Sequence, residues 1–142
     1  CGMSVLINVM DKAGGLNALI DVIAIISNGT TITGVVGFIA GLLSAYSSSS
    51  GVIMPMFLSM VPGLLEAVNT VDADHAVRLA SSIDIGAHLV DTSPLSTLGA
   101  LCIANAVTED KGVLFRNLLL WGLSMSVVGG VVCYVAFGLL GL

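Results

Sequence analysis

Charged side chains are scarce in this sequence. Only 9% of the 142 residues are Asp, Glu, Lys or Arg, whereas 56% are hydrophobic, and the mean hydropathy is +1.08. Soluble domains carry about a quarter charged residues, so a water-soluble fold of this size would be unable to bury so much apolar surface. The composition argues against a soluble domain and predicts an integral, multi-pass membrane protein, which we expect in a bacterial inner membrane.

Basic residues are the scarcer of the charged ones. The four are Lys12, Arg78, Lys111 and Arg116, scattered along the chain, and nine acidic residues bring the net charge to −5. A nucleic-acid-binding domain shows a basic patch or stripe, and a polybasic lipid-headgroup site shows clustered Lys and Arg. The sequence argues against both, and we expect membrane lipid but no nucleic acid among its partners.

Cysteine is also rare, and its spacing forms no motif. Cys1, Cys102 and Cys133 each lie in an apolar run, without a Cys-x-x-Cys pattern or a His at ligand spacing. Free cysteine in such surroundings behaves as a small hydrophobic side chain. We expect all three to be buried, with no redox, metal or cofactor role.

Polar interruptions divide the apolar sequence into segments, most of them too short to cross a membrane, since a spanning helix needs about 20 residues. We predict an all-α fold in which residues 1–142 form the C-terminal repeat of a polytopic membrane protein, preceded by an N-terminal half of similar size. In chain order, the predicted segments are the end of a truncated span (1–12), an interfacial helix (16–27), a re-entrant helical hairpin (32–65), a broken transmembrane helix (75–106) and a final transmembrane span (113–142).

The hairpin is predicted from a serine run inside an apolar stretch. Residues 32–43 and 52–65 are apolar, and the sequence SAYSSSSG at 44–51 separates them. Backbone exposed at mid-membrane depth is tolerated only inside protein or beside a water-filled cavity, and a hydroxyl-rich tip suits such a cavity. A flexible solvent loop is the alternative interpretation.

The second interruption is the sequence DTSP at 91–94, between helical segments 75–90 and 95–106. Pro94 lacks a backbone donor and disfavours α geometry at Ser93. The pattern predicts a helix broken within the membrane, and an ordinary proline kink or an interhelical loop is the alternative.

Together the two interruptions predict an anion site with a coupling ion. A helix that begins in mid-membrane presents free N–H groups with partial positive charge, and one that ends there presents carbonyls that can coordinate Na⁺. Hydroxyl groups beside these ends can serve either ligand. For substrate binding we predict Ser48, Ser49, Ser50, Gly51, Thr92, Ser93 and Pro94. For the coupling ion, Na⁺ or H⁺, we predict Ser47, Ser48, Asp91 and Thr92.

Asp84, His88 and Asp91 fall in one predicted helix region. Ionisable residues within a membrane mark functional sites, and the four-residue spacing allows Asp84 and His88 to pair on one helix face. Such a pair is compatible with proton coupling and with a purely structural hydrogen bond, and both interpretations stay open.

The two interruptions resemble those of the ion transporter superfamily, in particular the divalent-anion:sodium symporters and the MatC-like malonate/dicarboxylate carriers. The symporters have Ser-Asn-Thr at a re-entrant tip, followed by an apolar helix with a proline, and YSSSSGVIMP at 46–55 is similar. They also have a Thr-Pro-Pro-Asn-like loop, and DTSPLST at 91–97 stands in that place. Residues 81–106 are most similar to the MatC-like carriers, which have a comparable Val-Asp-x-Ser-Pro run.

This resemblance implies a function and an assembly. Such proteins are homodimeric secondary transporters, not enzymes, which move di- or tricarboxylates such as malonate or succinate by an elevator-like mechanism, coupled to Na⁺ or H⁺. The tip of this chain lacks the family's Asn, and its second loop has one proline instead of two and carries Asp91. These departures leave the coupling ion open.

Three other functions are compatible with the same residues. A cation/proton antiporter of the same superfamily would use Asp84 or Asp91 as its essential ion ligand. An intramembrane serine protease would use Ser, His and Asp, but no Gly-x-Ser-x-Gly turn is present. A non-catalytic membrane scaffold would tolerate bulky residues at the serine tip.

Overall fold

The computed structural model describes residues 2–47, 49–70, 72–107 and 110–141. Across these ranges the chain consists of helices and turns without a β-strand, which confirms the all-α prediction. The α-helices are α1 (Gly2–Lys12), α2 (Gly15–Ile26), α3 (Ile32–Ser44), α4 (Met54–Ala67), α5 (Ala73–Leu89), α6 (Thr97–Asn105) and α7 (Lys111–Cys133). Two π-helical segments adjoin them: Ser49–Ile53 runs directly into α4, and Tyr134–Leu139 extends α7.

The helix bounds lie close to the segments expected from sequence. The predicted interfacial helix corresponds to α2, the two hairpin arms to α3 and α4, the broken helix to α5 and α6, and the final span to α7 with its π-helical extension. The depth of these helices in a membrane, and the re-entrant nature of the hairpin, stay predictions.

The apolar core lies between α2, α3, α4 and α5. Its fully buried side chains include Ile23, Val36, Phe57, Leu64 and Ile83. Helix α5 packs along α3 and also along α4, whereas α3 and α4 have little direct contact with each other. The two arms of the predicted hairpin therefore share α5 as their packing partner instead of packing along one another.

Helix α4 shows how the sequence directs this packing. Its buried residues Phe57, Met60, Val61 and Leu64 recur at three- and four-residue spacing, which places them on one helix face. Pro62, inside the helix, is exposed on the other side. One apolar face is enough to attach α4 to the core formed with α2 and α5.

Glycines allow α3 to approach two other helices at backbone distance. A Cβ on Gly86 of α5 would overlap the Gly37 carbonyl of α3, and a Cβ on Gly41 would lie 2.9 Å from the Gly86 carbonyl oxygen. On the α7 side, a Cβ on Gly34 would lie 3.1 Å from the carbonyl oxygen of Gly130. Small residues at such crossings let van der Waals contacts form along the backbone.

Helix α7 and its extension present an apolar outer surface. Over Lys111–Leu139 the helix is long and apolar enough to cross a membrane, the one such helix in the described part of the chain. A row of valines near its C-terminal end is between 42% and 56% exposed: Val127, Val128, Val131, Val132 and Val135. A contiguous apolar surface marks a membrane or protein contact, and the length of this helix favours lipid. Multi-pass topology stays a prediction.

The cysteines fulfil the burial prediction only in part. Cys133 is fully buried, with its Sγ 3.7 Å from the Ser82 carbonyl oxygen. Cys102 is exposed, contrary to expectation, because α6 packs mainly on α7 and buries only Gly99. Cys1 lies outside the described residues.

Gly86→Ala is expected to destabilise the bundle, because its methyl group would overlap the Gly37 carbonyl. Overpacking a well-packed interior costs about 1–3 kcal/mol, and thermal unfolding of the purified protein in detergent would show a lower midpoint. Gly112→Ala is the matched control, since a Cβ there meets no atom within 4 Å. Equal midpoints for the two variants would contradict the close approach of α3 and α5.

Candidate functional site

The two interrupted segments meet in the folded chain. Ser93, in the second interruption, donates a hydrogen bond to the carbonyl oxygen of Ala45, directly after α3, at 2.7 Å. Ser44 donates in turn to the carbonyl oxygen of Ala87 in α5, at 2.8 Å. Both serines are fully buried. Because the last carbonyls of a helix lack intrahelical partners, these bonds satisfy two of them and fasten the C-terminal ends of α3 and α5 together.

Helix ends of like polarity converge at this point. Since α3 and α5 both finish where Ser44 and Ser93 form their hydrogen bonds, the partial negative charges of two helix C-termini lie side by side. After α3 and after α5 the chain turns and begins a further helix, at Ser49 and at Thr97 respectively. Such an arrangement supplies carbonyl oxygens for a cation and, beyond each turn, N–H groups for an anion.

Ser96 organises the second interruption. Its hydroxyl lies within hydrogen-bond distance of the Asp91 and Ser93 carbonyl oxygens, the latter at 2.7 Å, and accepts from the Gly99 N–H at 3.3 Å. One side chain therefore caps α6 and holds the preceding turns. Sequence reasoning assigned Ser96 no role, although a serine just before an apolar helical run is a typical N-cap signal.

The residues predicted in the second interruption differ in accessibility. Thr92 is exposed and Asp91 is half-buried, whereas Ser93 and Pro94 are buried. Gly99 packs so closely on this segment that a Cβ there would overlap the Ser93 carbonyl. Thr92 and Asp91 are therefore open to a ligand in this conformation, and Ser93 serves to fasten the interruption to α3.

The predicted serine tip includes the start of the helix that leads into α4. Ser47 is half-buried in a bend after α3, and Ser48 lies outside the described residues. The backbone of Ser49, Ser50 and Gly51 belongs to the π-helical turn that leads into α4. Segments of π-helix inside longer helices are frequent at functional sites, and this one places the start of the second hairpin arm beside the end of the first.

Asp84 and His88 form the pair that their spacing predicts. The His88 Nδ1 lies 3.0 Å from a carboxylate oxygen of Asp84 and 2.9 Å from the Asp84 carbonyl oxygen. The two side chains are 55% and 50% exposed, so the pair lies on the surface of α5. The face that carries it is separate from the core face of that helix.

Two further features bear on ligand chemistry. Among the described residues no group of three or more His, Cys, Asp or Glu side chains is placed to hold a metal ion. An apolar groove of about 550 Å³ lies between α3 and α7, lined by residues such as Val35, Phe38 and Val131. This groove opens on the valine row of α7 and contributes no polar ligand.

No protein-family model, no curated protein and no solved structure matches this chain.

Ser93→Ala is expected to loosen the junction, because it leaves the Ala45 carbonyl without its buried donor. An unsatisfied buried polar group costs about 1–3 kcal/mol, which should lower the thermal midpoint in detergent. Ser124→Ala is the control, since that exposed hydroxyl bonds only within its own helix, to the Trp121 carbonyl. If Ser93→Ala unfolds at the wild-type temperature, the Ser93 bond does not stabilise the junction.

Proposed function

We propose that this chain is the C-terminal repeat of a secondary transporter that moves small organic anions across a membrane. Its substrates are di- or tricarboxylates such as malonate or succinate, moved with Na⁺ or H⁺ by an elevator-like displacement. In this proposal the chain works with an N-terminal half of the same protein, as a homodimer, and performs no enzymatic reaction.

One observation carries the proposal: the two helix interruptions of an otherwise apolar chain are in direct contact through Ser93 and Ala45. Interruptions are costly in a membrane, because each frees backbone groups that lipid cannot satisfy. Two unrelated kinks would have no reason to meet. Two interruptions that meet concentrate hydroxyls, carbonyls and helix N-termini at one place, as a midplane binding site requires.

The chemistry of the junction suits a carboxylate and a small cation together. The N-terminal end of α6 and that of the helix that begins at Ser49 and continues as α4 supply partial positive charge for the anion without an arginine or lysine nearby. The paired C-terminal ends of α3 and α5, with the half-buried Asp91, supply the negative environment for a coupling ion. Binding the cation would offset the charge of the anion, which gives a physical reason for their coupled movement.

Surface chemistry also supports a membrane setting for this site. The outer valines of α7 favour lipid, and the apolar helices α2, α3 and Gly51–Ala67 are each shorter than a spanning helix. Short apolar helices joined at a polar junction are the expected parts of a re-entrant hairpin and a broken span. The buried hydroxyls of Ser44 and Ser93 both donate to backbone carbonyls, which argues against either as an activated nucleophile.

The test is uptake by the full-length protein in proteoliposomes. Labelled malonate and succinate are offered first with an inward Na⁺ gradient and then with an inward pH gradient at equal Na⁺. Accumulation driven by either gradient is expected, and the effective gradient identifies the coupling ion. Absence of carboxylate uptake, with gradient-driven cation exchange instead, would contradict the proposal and favour the antiporter.

Thr92→Val is expected to raise the KM for the anion by about tenfold, because a hydrogen bond to a charged group contributes about 1.5–3 kcal/mol and 1.4 kcal/mol is a tenfold change. The substitution removes the hydroxyl while keeping a branched side chain of similar size. Thr30→Val is the matched control at an exposed threonine before α3, away from the junction. An unchanged KM in Thr92→Val would exclude Thr92 from the substrate site.

A further inference from the structure

Helix α5 has a polar face opposite its core face. Leu79, Ile83, Gly86 and Ala87 are buried, whereas Ser81, Asp84, His88 and Asp91, at three- and four-residue spacing, are half-buried or exposed. This polar stripe leads along the helix to the second interruption. A charged stripe facing lipid is costly, so in a membrane this face borders water or protein, unlike the valine-covered face of α7.

The contact between Asp84 and His88 distinguishes the two nitrogens of the imidazole ring. The Nδ1 of His88 has two oxygen neighbours, both from Asp84, at 2.9 and 3.0 Å. Neutral imidazole has one N–H donor and one acceptor nitrogen, so these contacts assign the hydrogen to Nδ1. The Nε2 is then the acceptor, on a ring whose side chain is 50% exposed. A proton that binds there forms imidazolium beside the Asp84 carboxylate.

Few other titratable groups lie near this pair on the helices that pack against α5. Helix α3 has none, and the one in α4, Glu66, lies beside Asp72 at the far end of α5. In α7, Cys133 faces Ser82 on the core side of α5. Lys111 and Arg116 lie nearer the start of α7 than Gly122, and Gly122 packs on Ser93, which follows the pair in the chain.

The remaining groups near the pair are on its own helix or on the π-helical extension of α7. Tyr134 packs against Gly34 of α3, while Asp72, Asp74, His75 and Arg78 lie in the N-terminal part of α5. Asp91 continues the polar stripe, three residues after His88. Among the described residues, the pair is therefore the imidazole–carboxylate contact nearest the junction.

We propose that the Asp84–His88 pair is the proton-binding site that couples anion transport to a proton gradient. The inference rests on the proposed transport function and identifies its coupling ion as H⁺, bound by this pair instead of by Asp91 and the C-terminal helix ends. In each cycle one N–H bond forms at Nε2 on the side of higher proton activity, and the same bond breaks on the other side. The Asp84 carboxylate accepts the hydrogen bond from Nδ1–H and stabilises the imidazolium in between.

The experiment uses the full-length protein in proteoliposomes, with two assays of labelled succinate or malonate. Counterflow against internal unlabelled anion at equal pH requires no net proton movement, whereas accumulation under an inward pH gradient does. Asp84→Asn and His88→Gln are expected to keep counterflow and to lose the stimulation by the pH gradient. A trapped pH dye should likewise lose its anion-dependent acidification. A purely structural pair would affect both assays equally.

Asp72→Asn is the matched control, because Asp72 also faces a histidine, His75, at 3.9 Å near the start of α5. It should retain both counterflow and stimulation. Persistent stimulation in Asp84→Asn and His88→Gln, or wild-type uptake driven by Na⁺ with no response to pH, would overturn the proton site while leaving the transport function in place. Absence of both uptake and counterflow in the wild type would overturn the transport function itself, and this inference with it.

Discussion

The backbone of α3 lies so close to that of α5 that neither helix has room for a side chain at the crossing. Gly37 and Gly86 meet there, and Gly41 repeats the contact one turn further along. Because these glycine contacts set how α3 lies along α5, the C-terminal ends of the two helices lie side by side. The Ser44 hydroxyl is then close enough to donate a hydrogen bond to the Ala87 carbonyl. The position of the junction therefore depends on van der Waals contact between the two backbones at these glycines.

Buried serine hydroxyls have a structural function in this chain. Buried ones, such as Ser44, Ser93 and Ser126, donate to carbonyls of neighbouring segments and hold the helices in register. In the proposed transporter the exposed hydroxyl of Thr92 is open to a ligand. In that proposal a chain with few charged residues assembles through buried hydroxyls and binds an anion through exposed ones, because each hydroxyl can donate and accept.

Polarity is distributed unequally over the outer faces of the bundle. The outer side of α7 is a row of valines, while the outer side of α5 carries Asp84 and His88. A single surrounding medium would not suit both faces, because charge is costly in hydrocarbon and apolar surface is costly in water. The contrast favours lipid beside α7 and a polar environment beside α5, where an aqueous path in a transporter would run.

The sequence by itself determined the helical class, the two interruptions and the Asp84–His88 pair, because hydropathy, proline geometry and four-residue spacing act between near neighbours in the chain. Only the tertiary structure decided that the interruptions touch, since Ser93 and Ala45 are 48 positions apart. It likewise decided that α5 packs on both hairpin arms and that Cys102 is exposed. Such outcomes depend on which helix faces pack together, and local spacing carries no information about that choice.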